Sequence, residues 1–327
     1  MTKAILLVGG KGTRLAPLTD HTPKPMLKVA GKPVTEHQIV KAREAGITEI
    51  VLATSYMAEV FEPYFGDGSK FGISIRYAVE KTPLGTGGAI SNAAELLSLS
   101  EGEMVAVFNG DVLSAHDLSS QLQFHQSQDA DATLYLTEVS DARAYGCVPV
   151  DSQGRVLEFL EKMDNPKANT INAGCYIFSQ RAISEIPRNQ VVSIERDTFP
   201  HLLRQGFAVM GYVDNNYWID MGTPQSFIRA SRDLILQPTI SPATTLDTSN
   251  KYLGSIVESG AVVHPTAQIG EGSYISRSAI IGAHSQVLGS MIMDNVTVGD
   301  NCRVEESYIG VGHALSADST IIREILG

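Results

Sequence analysis

From residue 257 onward one aliphatic side chain recurs every six residues. Val257, Val263, Ile269, Ile275, Ile281 and Val287 form the first run. One five-residue step leads to Ile292, Val298 and Val304, and another to Ile309, Leu315 and Ile321. Small residues follow each aliphatic one, as in "IGEGSY", "VGDNCR" and "IGVGHA". An ordinary β-sandwich would alternate with a period of two. A period of six predicts a parallel β-helix, in which each coil stacks its aliphatic residues on those of the next. The range 256–327 holds about four coils of some 18 residues, on the repeat logic of such solenoids. The Pro-, Ser- and Thr-rich stretch "QPTISPATTLDTSN" before it reads as a linker, and the organisation expected is 1–238, a linker over 239–255, and 256–327.

Before residue 238 the pattern is different. "KAILLVG" is a short apolar run ending in glycines, which suits a buried strand. "PVTEHQIVKAREAG" predicts a helix, with Pro33 in its first turn and Gly46 at its end. "EIVLAT", "ISIRYAVE" and "MVAVFNGD" read as strands, "MAEVFEPYFG" as a broken helix and "GGAISNAAELL" as a helix. "ATLYLTEV", "CVPV", "VLEFLEK" and "NAGCYIFS" are strand-like, with "DSQG" as a hairpin turn. "TPQSFIRASRDLIL" has Thr223 as N-cap and Pro224 at the first helical position. The βαβα order predicts an α/β fold with a Rossmann-like, mixed but mostly parallel sheet, with ligands at the carboxyl ends of the strands.

Net charge is −11, which argues against nucleic-acid or acidic-membrane partners. Yet the first 32 residues hold Lys3, Lys11, Arg14, Lys24, Lys28 and Lys32 against Asp20 alone. A basic entrance segment can bind a small polyanion, and equally can be a solvated edge. Cys147, Cys175 and Cys302 lack metal-ligand spacing and read as reduced, packed thiols of a cytoplasmic protein. No run approaches the roughly 20 apolar residues of a membrane span.

"GGKGTRLAPLTDHTPKPML" follows the first strand. It is neither a Walker A loop nor a dinucleotide fingerprint, since the third glycine is missing. The physics is shared, however: glycines after a strand let backbone N–H groups close around phosphate oxygens. Arg14 adds a planar charged fork, and Lys24 is stiffened between Pro23 and Pro25.

With "PLGTGGAI", "FNGD", "YGCV", "LEK", "INAGCYIF" and "YWIDMGTP", this loop resembles the signature of the sugar-1-phosphate nucleotidyltransferases, or nucleotide-sugar pyrophosphorylases. The likeness extends over about 235 residues. Within the family it points to the guanylyltransferases of mannose 1-phosphate that carry a C-terminal left-handed β-helix. The resemblance implies in-line attack of a sugar phosphate on the α-phosphorus of a nucleoside triphosphate, with release of pyrophosphate. It places Gly9, Gly10, Gly12, Thr13, Arg14 and Lys24 on the triphosphate, with Arg14, Lys24 and Lys162 as the catalytic cations. Leu84, Gly85, Thr86 and Gly87 would approach the nucleobase. Asn109, Gly110, Tyr145, Gly146, Glu161, Lys162, Asn172 and Gly174 would hold the sugar phosphate. Asp111 and Asp220 would jointly hold Mg²⁺. By themselves the two aspartates read as turn or cap residues, and Glu161-Lys162 as solvated charges at a strand end.

The base inferred is guanine, because Gly88 stands where uridylyltransferases of the aminosugar branch tend to carry histidine, leaving room for a purine. dTTP, UTP or CTP, and glucose, heptose or cyclitol phosphates, stay open. A non-catalytic relative should lack some of Arg14, Lys24, Asp111, Lys162 and Asp220, and all five are present. An acyltransferase β-helix would need a catalytic histidine. His264, His284 and His313 fit repeat corners equally well, so the β-helix is expected to serve a homo-oligomer, a dimer or higher.

Overall fold

The computed structural model describes residues 2–10, 12–160, 164–246, 252 and 254–327. The chain divides into two compact units, Met1–Gly10 with Gln38–Trp218, and Lys11–His37 with Ile219–Gly327.

The first unit is built on a sheet of seven strands among the described residues. Their order is Val209–Val213, Ala132–Glu138, Thr170–Ser179, Met104–Asn109, Thr2–Leu7, Glu49–Thr54 and Ser74–Val79. Neighbours run parallel except at Thr170–Ser179, which is antiparallel to both of its partners. The central strand Thr2–Leu7 reads apolar because its neighbours on both sides and the layers above and below exclude water: Ala4, Ile5 and Leu6 are fully buried. Helix Gly85–Leu97 covers one face through Ile90, Ala93 and Leu97. In register, Leu7 lies beside Asn109. Gly9-Gly10 and Gly110-Asp111 therefore leave the carboxyl ends of adjacent parallel strands.

Some sequence expectations change here. "CVPV" and the described part of "VLEFLEK", residues 156–160, do not form continuous strands. They make isolated bridges, Val150 to Val156 and Cys147 to Leu160, around the Asp151–Gly154 turn. Helix Leu118–Ser127, capped by the Asp117 carboxylate on the Ser120 N–H at 3.0 Å, had no counterpart in the apolar pattern. All three cysteines are buried and free.

The second unit holds helix Pro224–Leu236, which begins at Thr223 with a reciprocal cap to Ser226. It also holds the parallel strands of the C-terminal repeat, in sheets of five, four and four strands among the described residues. These are consistent with a left-handed β-helix. Val257, Ile275, Ile292 and Ile309 stack in one column, Val263, Ile281, Val298 and Leu315 in a second, and Ile269, Val287, Val304 and Ile321 in the third. All twelve lie in one apolar cluster. The five-residue steps fall at the corner of Ser290 and Ser307. There buried serines form a ladder: Ser290 N–H donates to Ser273 Oγ at 3.2 Å, and Ser307 N–H to Ser290 Oγ at 3.1 Å. Each hydroxyl satisfies a corner amide that the strands cannot reach.

The β-helix packs within this unit on helix Pro224–Leu236 and on the Lys28–Pro33 hairpin. Arg232 Nη1 meets Glu306 Oε1 at 3.2 Å. The Tyr274 ring lies so close to Gly31 that a Cβ there would stand 3.3 Å from it. Ala30 N–H donates to the buried Ser231 Oγ at 3.0 Å. The stretch read as a linker packs at its start: Ile240, Ser241 and Ala243 are buried, and Ser241 Oγ lies 2.7 Å from His37 Nδ1.

Candidate active site

The motif residues fall into two sets, one in each unit. In the second unit, Gly12 takes a left-handed conformation (φ 64°) and starts the short turn Thr13–Leu15. Its carbonyl accepts from Leu15 N–H at 2.9 Å and from Thr19 Oγ1 at 3.1 Å, which closes the loop on itself. A Cβ on Gly12 would stand 2.8 Å from the Lys24 Cβ, so glycine is needed for that approach. Thr13 and Arg14 are exposed.

Lys24 is only 6% exposed, in the turn Lys24–Met26, which Thr35 ties down by donating to the Pro25 carbonyl at 2.9 Å. Its ammonium lies 3.9 Å from Asp220 Oδ1. A Cβ on Gly222 would stand 3.1 Å from Asp220 Oδ2 and 3.5 Å from Arg14 Nη1. Arg14, Lys24 and Asp220, up to some 200 residues apart in sequence, are thus gathered around Gly222.

In the first unit, Ser55 Oγ donates to the Gly9 carbonyl at 2.7 Å, just past the first strand. Gly110 N–H donates to the Leu7 carbonyl at 3.0 Å, and any Cβ on Gly110 would collide with that carbonyl. Asp111 follows, half-buried. Asn172 Nδ2 donates to the Tyr176 hydroxyl at 2.8 Å, and Asn172 Oδ1 accepts from Gly174 N–H at 3.1 Å. Gly174 stands against Asn109, and Asn172 N–H donates to the Gly146 carbonyl. Tyr145 packs edge-on to Trp218, whose indole N–H donates to the Ala173 carbonyl at 3.0 Å. Asn109, Gly110, Tyr145, Gly146, Asn172 and Gly174 are thereby joined in one network. Glu161 and Lys162 lie outside the described residues.

The 84–88 segment opens helix Gly85–Leu97, and its environment differs from the sequence reading. Gly88 does not leave open space: a Cβ there would meet Gln190 O at 2.5 Å and Leu84 Cβ at 2.6 Å. The N–H groups of Gly87 and Gly88 both point to the Val192 carbonyl, and Leu84 O accepts from Val192 N–H at 2.9 Å. Thr86 Oγ1 donates to Glu195 Oε2 at 3.0 Å and accepts from Ile194 N–H. These glycines admit a neighbouring backbone.

Several residues that sequence reasoning did not single out take part. Glu80 Oε2 accepts from Leu84 N–H at 3.2 Å, while its Oε1 is buried without a hydrogen-bond partner among the described residues. Burial raises the Glu80 pKa, opposed by the Leu84 N–H. Ser55, Glu195 and Trp218 are fixed by contacts distant in sequence; no local pattern marks Ser55 or Glu195, and Trp218 lies in the quoted "YWIDMGTP" motif without having been assigned a part. Among the described residues no cluster of three or more His, Cys, Asp or Glu forms a self-contained metal cage. Asp111 and Asp220 are half-buried carboxylates, hard oxygen donors of the kind that hold Mg²⁺ together with substrate phosphates.

Residues 3–237 match the family model described as nucleotidyl transferase. The chain belongs to that family. A mannose-1-phosphate guanylyltransferase of Mycobacterium tuberculosis is 47% identical over 92% of this chain and 82% of its own length. Mannose-1-phosphate guanylyltransferase 1 of Arabidopsis thaliana is 36% identical over 93% and 83%. The crystal structure of HddC from Yersinia pseudotuberculosis complexed with GMP-PN superposes with a TM-score of 0.59 at 30% identity, over 72% of this chain and all of that one. Nucleotidyl transferases of this family act on a nucleoside triphosphate and a sugar phosphate and generally use a divalent metal. No helix among the described residues is long and apolar enough to cross a membrane.

Proposed function

We propose that the protein transfers GMP from GTP to mannose 1-phosphate, forming GDP-mannose and pyrophosphate. The observation that carries this reading is likeness to mannose-1-phosphate guanylyltransferases over more than nine-tenths of the chain, β-helix included. A phosphate oxygen of the sugar attacks the α-phosphorus of GTP. A new P–O bond forms as the bond from the α-phosphorus to the bridging oxygen breaks, and that electron pair leaves on pyrophosphate. Such a step depends on alignment and charge neutralisation.

In this reading the amides of Gly9, Gly10, Gly12 and Thr13, with Arg14, hold the triphosphate and stabilise the departing pyrophosphate. Lys24 faces charge on the α-phosphate. Asn109, Gly110, Tyr145, Gly146, Asn172 and Gly174 seat the sugar, Glu161 accepts from its hydroxyls and Lys162 binds its phosphate. Asp111 and Asp220 are the ligands for Mg²⁺, which would offset phosphate charge when bound. The region 1–238 carries the chemistry, and 256–327, joined by 239–255, supports a homo-oligomer in the cytoplasm.

Guanine is supported by Glu80 next to Leu84 and Gly85. Guanine's Watson–Crick edge presents two adjacent donors, N1–H and N2–H, which suit a carboxylate; uracil and thymine offer one imide N–H, flanked by carbonyls. A base without those donors leaves the half-buried carboxylate poorly paired, at about 1–3 kcal/mol per lost partner. The test is pyrophosphate release from GTP, ATP, CTP, UTP and dTTP crossed with mannose, glucose and heptose 1-phosphates. GTP with mannose 1-phosphate should lead in kcat/KM by at least tenfold. A tenfold preference for dTTP or CTP would remove the guanylyl assignment and leave the phosphate chemistry standing.

A further inference from the structure

Helix Val34–Glu44 carries Gln38 and Lys41, one turn apart, and neither belongs to a family motif quoted above. Gln38 is 5% exposed. Its Nε2 donates to the Asn109 carbonyl at 2.8 Å and to the Val112 carbonyl at 3.0 Å. Those two carbonyls bracket Gly110-Asp111, the point where the Met104–Asn109 strand ends. Lys41 Nζ holds the far side of the same segment, donating to Ser114 O at 2.8 Å and lying 2.9 Å from His116 Nδ1.

The other end of the Gln38 amide shows what the residue is for. Its Oε1 is buried with no hydrogen-bond partner among the described residues. Packing alone would be served better by methionine or leucine, which have no oxygen to strand. Turning the amide over would set Oε1 against two carbonyl oxygens. The orientation that remains is the one that donates twice across the turn.

We infer that Gln38 is a positioning residue for Asp111: its amide clamps the turn that aims the Asp111 carboxylate. This rests on the reading above that Asp111 is a metal ligand. A carboxylate on an unclamped turn still binds, but must be ordered at each binding event, so metal affinity falls while substrate contacts elsewhere persist.

The experiment uses the full chain with Gln38→Met, which keeps length and volume, Gln38→Leu as a second apolar variant, Asp111→Asn, and the double variant. Mn²⁺ binding in the presence of GMP-PN is read from the free-Mn²⁺ electron paramagnetic resonance signal. Melting temperature and the Mg²⁺ dependence of kcat are measured alongside. Gln38→Met should weaken Mn²⁺ about tenfold, shift the half-saturating Mg²⁺ upward by a similar factor and recover most of kcat at saturation. Its melting temperature should fall by a few degrees at most, because removal of the stranded oxygen offsets part of what the Asn109 and Val112 carbonyls lose with their donor. Asp111→Asn should not be rescued by Mg²⁺, and adding Gln38→Met to it should change Mn²⁺ binding no further. Wild-type Mn²⁺ affinity in both Gln38 variants, with affinity lost in Asp111→Asn, would overturn the positioning role and leave the metal reading intact. Wild-type affinity in Asp111→Asn would overturn both.

Discussion

Lys24 sits in a nearly closed position, on a turn bounded by two prolines and 3.9 Å from Asp220. An ammonium already ordered stabilises developing phosphate charge without reorganisation at the moment of reaction. Lys24→Met should therefore lower kcat by about a hundred- to a thousandfold, the scale for removing one preorganised donor. KM for GTP should move much less. Steady-state pyrophosphate release checks this, and a variant losing only affinity would move Lys24 to a ground-state role. His37 shows what burial does to a titrating side chain. Desolvation lowers its pKa from 6.5 to about 4, against the raising effect of the Val29 carbonyl. The unfolded chain then takes up the proton first as pH falls. Stability is present in full above pH 6.5 and is lost progressively between 6.5 and about 4. At pH 5 the loss from this group is about 2 kcal/mol. His37→Leu should show that much less acid destabilisation between pH 7 and pH 5 in urea denaturation; an unchanged difference would mean His37 does not stay neutral in the fold.

At the level of elements, helix Gly85–Leu97 starts on a residue that no other side chain suits. Gly85 has φ 73°, and a Cβ there would stand 2.6 Å from the Val192 carbonyl. Gly85→Ala should cost at least about 1–2 kcal/mol from the left-handed conformation alone. Displacement of the 84–88 segment should raise KM for GTP and leave KM for mannose 1-phosphate near wild type, which initial-rate kinetics would read. The helix itself was legible, because Ile90, Ala93 and Leu97 recur at helical spacing. The reason for its glycines was not: residues 190–192, the backbone they admit, lie about a hundred positions away. The β-helix was the most legible element, since period six records the same contact in every coil. Its serine ladder was not read, because serine at a corner looks like any turn residue until the coils are stacked. The apolar run and the glycines that end it announced the loop at Gly9 and Gly10, whereas Gly110 entered only through the family likeness of "FNGD". Gln38 and Glu80 gave no signal, since a helical glutamine and a strand-end glutamate are ordinary surface residues in isolation.

At the scale of the whole molecule, the second unit draws on both ends of the chain, Lys11–His37 and Ile219–Gly327. Truncation near residue 238 would remove Tyr274 from Gly31 and Glu306 from Arg232, exposing groups that the β-helix covers. The shortened protein should melt about 5 °C or more lower, as expected for a loss of about 2 kcal/mol in a domain of this size. It should also sediment with fewer subunits. Calorimetry and sedimentation velocity check these separately, and an unchanged melting temperature would mean that those contacts contribute nothing. The Tyr274–Gly31 contact has a bearing on recombination between relatives. Exchanging β-helices at the boundary where the hydrophobic period changes would pair a foreign coil with a resident hairpin and helix. A workable chimaera must carry three pieces together: the hairpin around Gly31, the helix bearing Ser231 and Arg232, and the coils themselves. The repeat would have to be exchanged together with a segment that lies more than two hundred residues upstream of it.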